Sequence, residues 1–268
     1  MTTQTIENFI TKRLNNGTLT ADDFLYICSL PKLKKQYFNM LLNAGVDMSV
    51  TNQHGENALF KAAESGNLVL LRALLEYGLN PMQQDDFGEI PLAVAVRCGN
   101  LSVAECLLSI TKNPASIVDK EGATLLHKAA WGDMPLIAHN LIEKHGMNIE
   151  YQDNFGRTAV HIAAYQGSCK MLKYLLLEKQ ANVNAIDYEG RTPLFSGAYD
   201  GNAKALKMLC ECGADLLVKD KNGMSVLDLA SSKQDYETVK FLKKQATVNS
   251  REVFIVFLLM ICIASYGI

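Results

Sequence analysis

The chain has 268 residues, an ordinary apolar content and a formal net charge of −2. Such a near-neutral chain lacks the positive footprint of nucleic-acid binding, and its length allows one large domain or two ordinary ones. The seven cysteines include no CxxC pair, which excludes a zinc knuckle and a thioredoxin-like redox motif and reads as scattered thiols in a reducing compartment.

The N-terminus, MTTQTIENFITKRLNNG, has no apolar h-region and does not read as a secretory signal, which leaves the bulk of the chain in the cytosol. Residues 21–48 carry a helical pattern ending in MLLNAGVD but lack a glycine turn. From residue 52 the chain repeats. NQHGENALFKAAESGN, DDFGEIPLAVAVRCGN, DKEGATLLHKAAWGDM, DNFGRTAVHIAAYQGS, DYEGRTPLFSGAYDGN and DKNGMSVLDLASSKQD align on Gly55, Gly88, Gly122, Gly156, Gly190 and Gly223, spaced 33, 34, 34, 34 and 33 residues apart.

Each unit opens on Asn or Asp, and its glycine is free to take positive φ in a turn. Asn57, Thr124, Thr158, Thr192 and Ser225 then stand where a helix would be capped, whereas Ile90 has no side-chain acceptor and predicts a weaker start. A short helix rich in small residues follows, with Ala62-Ala63, Ala129-Ala130 and Ala163-Ala164 inside it. A break at Gly66, Gly99, Gly167 or Gly201 leads to a Leu-rich second helix, as in NLVLLRALLEYG, with apolar residues at helical spacing. Neither helix is long enough to stand alone, so each pair must bury its apolar face on the next.

This pattern resembles the ankyrin repeat, D-x-x-G-x-T-P-L-H-x-A-A with a Leu-rich helix and G-A-D. DYEGRTPLFSGAYDGN with CGAD at 212–215 and DNFGRTAVHIAAYQG carry the resemblance most fully, and it covers residues 20 to 247. It implies an all-α ankyrin-like solenoid of helix-turn-helix repeats with projecting β-hairpin loops, to which the tail would add a C-terminal apolar helix. Residues 1–51 are then an N-terminal cap with a degenerate first repeat. Five repeats span 52–219 (52–84, 85–118, 119–152, 153–186, 187–219), a capping repeat spans 220–247, and a linker with a transmembrane or tail-anchor helix occupies 248–268. Three repeats carry one extra residue, around SITKNPAS, EKHGMN and LEKQAN, and Gln180 stands where the family usually has glycine.

His127 and His161 occupy the T-P-L-H position, whose histidine in the family hydrogen-bonds within and between loops. No catalytic fingerprint is present, so no catalytic residue, cofactor, metal or small-molecule substrate is expected, and the chain reads as non-enzymatic. The surface then carries the function. The residues nine after each turn glycine are Glu64, Arg97, Trp131, Tyr165, Tyr199 and Ser232. Trp131, Tyr165 and Tyr199, with Arg157 and Arg191 one residue after their glycines, have the composition of interface anchors on the concave face. The competing reading is that these rings pad the neighbouring repeat. Successive helices would hold them about 10 Å apart. The expected partner is another protein, met by this face and the hairpin tips.

The chain closes on VFIVFLLMICIASYGI, residues 253–268, whose first twelve residues are all apolar. Sixteen helical residues reach about 24 Å, short of a hydrocarbon core of about 30 Å. Their composition nonetheless favours lipid by roughly 3 to 6 kcal/mol. Val253, Phe254, Phe257, Leu258 and Ile261 would form the membrane segment, and Lys240, Lys243, Lys244 and Arg251 before it place the repeats in the cytosol. Three readings stay open: a tail anchor, the first span of a longer multi-pass protein such as an ankyrin-repeat channel or palmitoyltransferase, and a buried capping helix. The last would leave a soluble cytoplasmic adaptor or effector.

Overall fold

The computed structural model describes residues 3–30 and 33–247. The expected membrane segment lies outside the described residues. Among the described residues no helix is long and apolar enough to cross a membrane. The chain divides into two compact units, Met1–Asn154 and Phe155–Ile268.

The first unit begins with α1 (Thr3–Asn15), α2 (Ala21–Cys28) and α3 (Lys35–Asn43), followed by the pairs α4 (Ala58–Ser65) with α5 (Leu68–Tyr77), α6 (Pro91–Arg97) with α7 (Leu101–Ile110), and α8 (Leu125–Trp131) with α9 (Pro135–His145). First helices stack α2 on α4 on α6 on α8, and second helices stack α3 on α5 on α7 on α9. The alanines explain the close stacking: Ala62, Ala63, Ala129 and Ala130 are fully buried, so no side chain holds the backbones apart. Leu71, Leu74, Leu107 and Leu141 fill the layer between first and second helices.

The second unit repeats the plan with α10 (Ala159–Gln166) and α11 (Cys169–Lys173), α12 (Pro193–Tyr199) and α13 (Ala203–Glu211), then α14 (Val226–Ser232) and a helix over residues 236–247. Here α10 packs on α12 and α12 on α14, while α11 packs on α13.

The loops differ from the expected β-hairpins. Among the described residues no strand forms, and the antiparallel pairing consists of two isolated bridges, Val118–Thr124 and Lys219–Ser225. The reason is length: a helix cap stands two residues past each turn glycine, so a ladder has no room to extend. Each tip is instead a closed turn. In one, Asp85 N–H donates to the Glu89 carbonyl at 2.9 Å and Gly88 N–H to the Asp85 carbonyl at 3.0 Å. The Asp85 carboxylate accepts from the Phe87 and Glu89 amides at 2.9 and 2.8 Å. The side-chain oxygens of Asn52, Asp119, Asp187 and Asp220 do the same in their turns. The glycine in each turn is left-handed, with φ between 76° at Gly55 and 80° at Gly156. Single amide-to-carbonyl bonds join neighbouring tips, Lys120 to Phe87 in the first unit and Lys221 to Glu189 in the second, both 2.9 Å.

The extra residue of the 34-residue repeats is absorbed in three ways. After α7 a 3-10 turn, Pro114–Ser116, follows left-handed Asn113. Helix α9 runs on to His145 and ends at left-handed Gly146. Helix α11 continues as one π-helical turn, Tyr174–Glu178, in which Lys179 N–H reaches the Tyr174 carbonyl at 3.1 Å. The wider turn keeps Leu172, Leu175 and Leu176 buried, and Gln180 then takes φ 54° without being glycine.

Candidate functional site

The caps show how the first helices are aimed. Thr124 and His127 form a reciprocal pair at the start of α8: His127 Nδ1 accepts from the Thr124 amide at 3.2 Å and lies 2.9 Å from its hydroxyl. Thr158 and His161 repeat this at 3.1 and 3.0 Å. Because His161 Nδ1 accepts, its proton sits on Nε2, which donates to the Arg191 carbonyl of the next loop at 3.1 Å. At the third such position Phe195 replaces histidine, and the Thr192 hydroxyl is buried without a partner. Ile90 caps α6 with backbone alone.

The caps fix the registration of the residue nine after each turn glycine, which falls at or one residue before the end of its first helix. In the first unit that column carries Glu64 and Arg97, both ion-paired, and then Trp131. Lys61 bridges Glu56 at 2.6 Å and Glu64 at 3.3 Å. Glu89 takes Arg97 at 3.3 Å and Lys128 at 2.5 Å, and Lys128 also meets Asp119 at 2.6 Å. Burial pulls the Lys128 ammonium down, but the Glu89 charge and the hydrogen bonds to Asp119 and Glu89 outweigh it and hold Lys128 above the ordinary lysine range. The join between these pairs was hidden in the sequence, because Lys128 reaches Glu89 from the following repeat. Trp131 ends α8 with 45% of its surface exposed.

In the second unit the column is aromatic. Tyr165 and Tyr199 stack with ring centroids 6.2 Å apart and planes 29° apart. This is closer than helix spacing alone predicts, because the two rings lean together across the gap. Lys233 stands at the C-terminal cap of α14, in the repeat that follows Tyr199. Its ammonium lies 3.6 Å from the Tyr199 ring centroid and donates to the Tyr199 carbonyl. Arg157 lies over the Phe155 ring at 4.5 Å, and Arg191 Nε faces the Asp220 carboxylate at 3.5 Å. Arg157, Tyr165, Arg191 and Tyr199 line one cavity of about 220 Å³, with Phe195, Met224 and Leu229 as its apolar wall. Tyr199 is 52% exposed. Four of the five expected anchors therefore meet in the second unit, and Trp131 belongs to the first.

Backbone amides and Arg191 set the local electrostatics. The Asp220 carboxyl is held below its ordinary range by the Met224 amide first, which burial opposes, and then by the Asn222 amide and Arg191. Burial pushes the Cys28 thiol up to about 12 and the Cys210 thiol to about 11, so neither is a ready nucleophile at neutral pH. Among the described residues no group of three His, Cys, Asp or Glu side chains is placed to hold a metal ion.

Ankyrin repeats match in three overlapping copies, over residues 25–117, 110–187 and 179–252. The chain belongs to the ankyrin-repeat family. Its resemblance extends to a chain in the solved complex of the predatory endopeptidase Bd0816 from Bdellovibrio bacteriovorus with immunity protein Bd3460, at 31% identity and a TM-score of 0.58, covering 70% of this chain and 98% of that one. No curated protein matches the chain. With 545 solved chains matching it, the scaffold is common, and its function has to be argued from the surface.

Proposed function

We propose that this protein is a non-catalytic scaffold that binds another protein through its turn tips and first helices. The observation that carries this reading is the stack of half-buried Tyr165 on exposed Tyr199 beside a cavity edged by Arg157 and Arg191. Aromatic and arginine side chains supply most of the energy at protein interfaces. Trp131 holds the equivalent repeat position in the first unit. On this reading residues 1–51 and 220–247 are the caps of a stack whose repeats span 52–219. The test is affinity capture of partners by the full chain and by its Tyr199→Ala variant. Partners retained equally by both would sink the proposal.

Residues 253–268 would hold the scaffold to a membrane with the repeats in the cytosol. The support is compositional: twelve successive apolar residues follow a basic flank. Extraction of membranes with alkaline carbonate checks it, and release of the chain into the soluble fraction would refute it. The same segment would serve as the first span of a longer membrane protein, with the repeats as its regulatory region.

A second reading is favoured by the structural neighbour, which comes from a complex of an endopeptidase with an immunity protein. A soluble adaptor or inhibitor of this kind would act by covering a partner enzyme. Protection of a peptidase substrate by the added chain would support that reading.

A further inference from the structure

The cavity of the second unit has a polarity that narrows the partner's chemistry. Its two carboxylates are already engaged. Asp187 accepts from the Glu189 and Arg191 amides at 2.9 and 2.8 Å, and Asp220 from the Asn222 and Met224 amides at 2.9 and 3.0 Å. The Asp220 carboxylate also holds Arg191 by Nε alone, at 3.5 Å. That contact orients the guanidinium and leaves its two Nη groups to an incoming acceptor. A guanidinium fork presented in this way matches a carboxylate in geometry as well as charge. Arg157 lines the same cavity, and Lys233 adds a further cation over the exposed Tyr199 ring.

The remaining wall is mostly apolar: Phe195, Met224 and Leu229, with Ser196, line it beside the two tyrosines. At about 220 Å³ the cavity is smaller than the roughly 300–1,000 Å³ of drug-sized ligand sites and suits one side chain. We infer that this cavity takes an apolar side chain of a protein partner whose neighbouring Asp or Glu is bound by Arg191. The partner segment is thus acidic and apolar together. This inference rests on the proposed interaction face and specifies its chemistry.

The test pans a displayed library of random peptides against the full chain, then measures the recovered peptides against the Arg191→Gln, Ser196→Phe and Tyr199→Ala variants. The Arg191 side chain is partly exposed, so its glutamine variant should fold, and circular dichroism with thermal melting confirms this for all three. Recovered peptides should carry Asp or Glu within two residues of Leu, Ile, Met or Phe. Their affinity should fall about tenfold in Arg191→Gln, fall with added salt, and be lost in Ser196→Phe, which fills the cavity from its wall. Neutral or basic peptides, or peptides indifferent to Arg191→Gln, would overturn the inference; recovery of no peptide above background would count against it equally. If such peptides still depend on Tyr199, the interaction face stands and its acidic specificity falls. If they depend on neither residue, both fall.

Discussion

The two units use one repeat plan and finish it with opposite chemistry. In residues 1–154 two of the three helix-end positions, Glu64 and Arg97, are charged and paired within the chain beside Glu89, Lys128 and Asp119, and Trp131 holds the third. In residues 155–268 the same positions carry Tyr165 and Tyr199, and Arg191 is held by a single nitrogen. The turn aspartates follow suit. Burial, and secondarily the Glu89 and Glu56 charges, raise the Asp85 carboxyl against its backbone hydrogen bonds, while the Met224 amide and Arg191 help to lower that of Asp220. One set of side chains is satisfied within the chain; the other is the one proposed above to meet a partner.

The largest expected effect lies in the ionic unit. Lys128→Met leaves the Asp119 carboxylate without a cation and Glu89 with Arg97 alone, and should cost about 3 kcal/mol in urea unfolding. A cost below about 1 kcal/mol would reduce the network to an ordinary surface pair. The pH dependence has a definite sign. Because the folded Lys128 pKa is raised, its contribution is complete below the unfolded lysine value of about 10.4 and declines as pH rises through the higher folded value. Stability measured from about pH 9 to pH 12 should show that decline in the native chain, and less of it in Lys128→Met.

Next comes the capping threonine. Thr158→Val removes the capping hydroxyl beside His161 Nδ1, leaves the amide bond to that ring, and should cost about 1–2 kcal/mol. Thr192→Val removes a buried hydroxyl that has no partner, and should be neutral or stabilising by up to about 1 kcal/mol. Thermal melts of both variants check the contrast, and equal losses would contradict it. The smallest effect is at Gln180, where φ is 54°. Gln180→Gly should gain roughly 0.5–1 kcal/mol by relieving a left-handed non-glycine residue, read again from thermal melts.

Much of the fold was legible because its signals are local. A turn glycine, a cap residue and helical spacing all fall within one repeat, and the alanines of the first helices announce close stacking. The π-helical turn at Tyr174–Glu178 was not legible, because the sequence marks an extra residue without saying which backbone bonds will stretch around it. The aromatic column could be read by aligning repeats, yet the ring stack and the orientation of Arg191 by Asp220 depend on tertiary placement. Lys233 escaped notice for the same reason: it reaches Tyr199 from the following repeat.

The most direct measurement compares one column position in each unit, using a captured partner's affinity for Tyr199→Ala and for Glu64→Ala. Affinity should fall about tenfold or more for Tyr199→Ala, as for an interface anchor, and stay unchanged for Glu64→Ala. Equal affinities, or a loss confined to Glu64→Ala, would contradict the proposed interaction face.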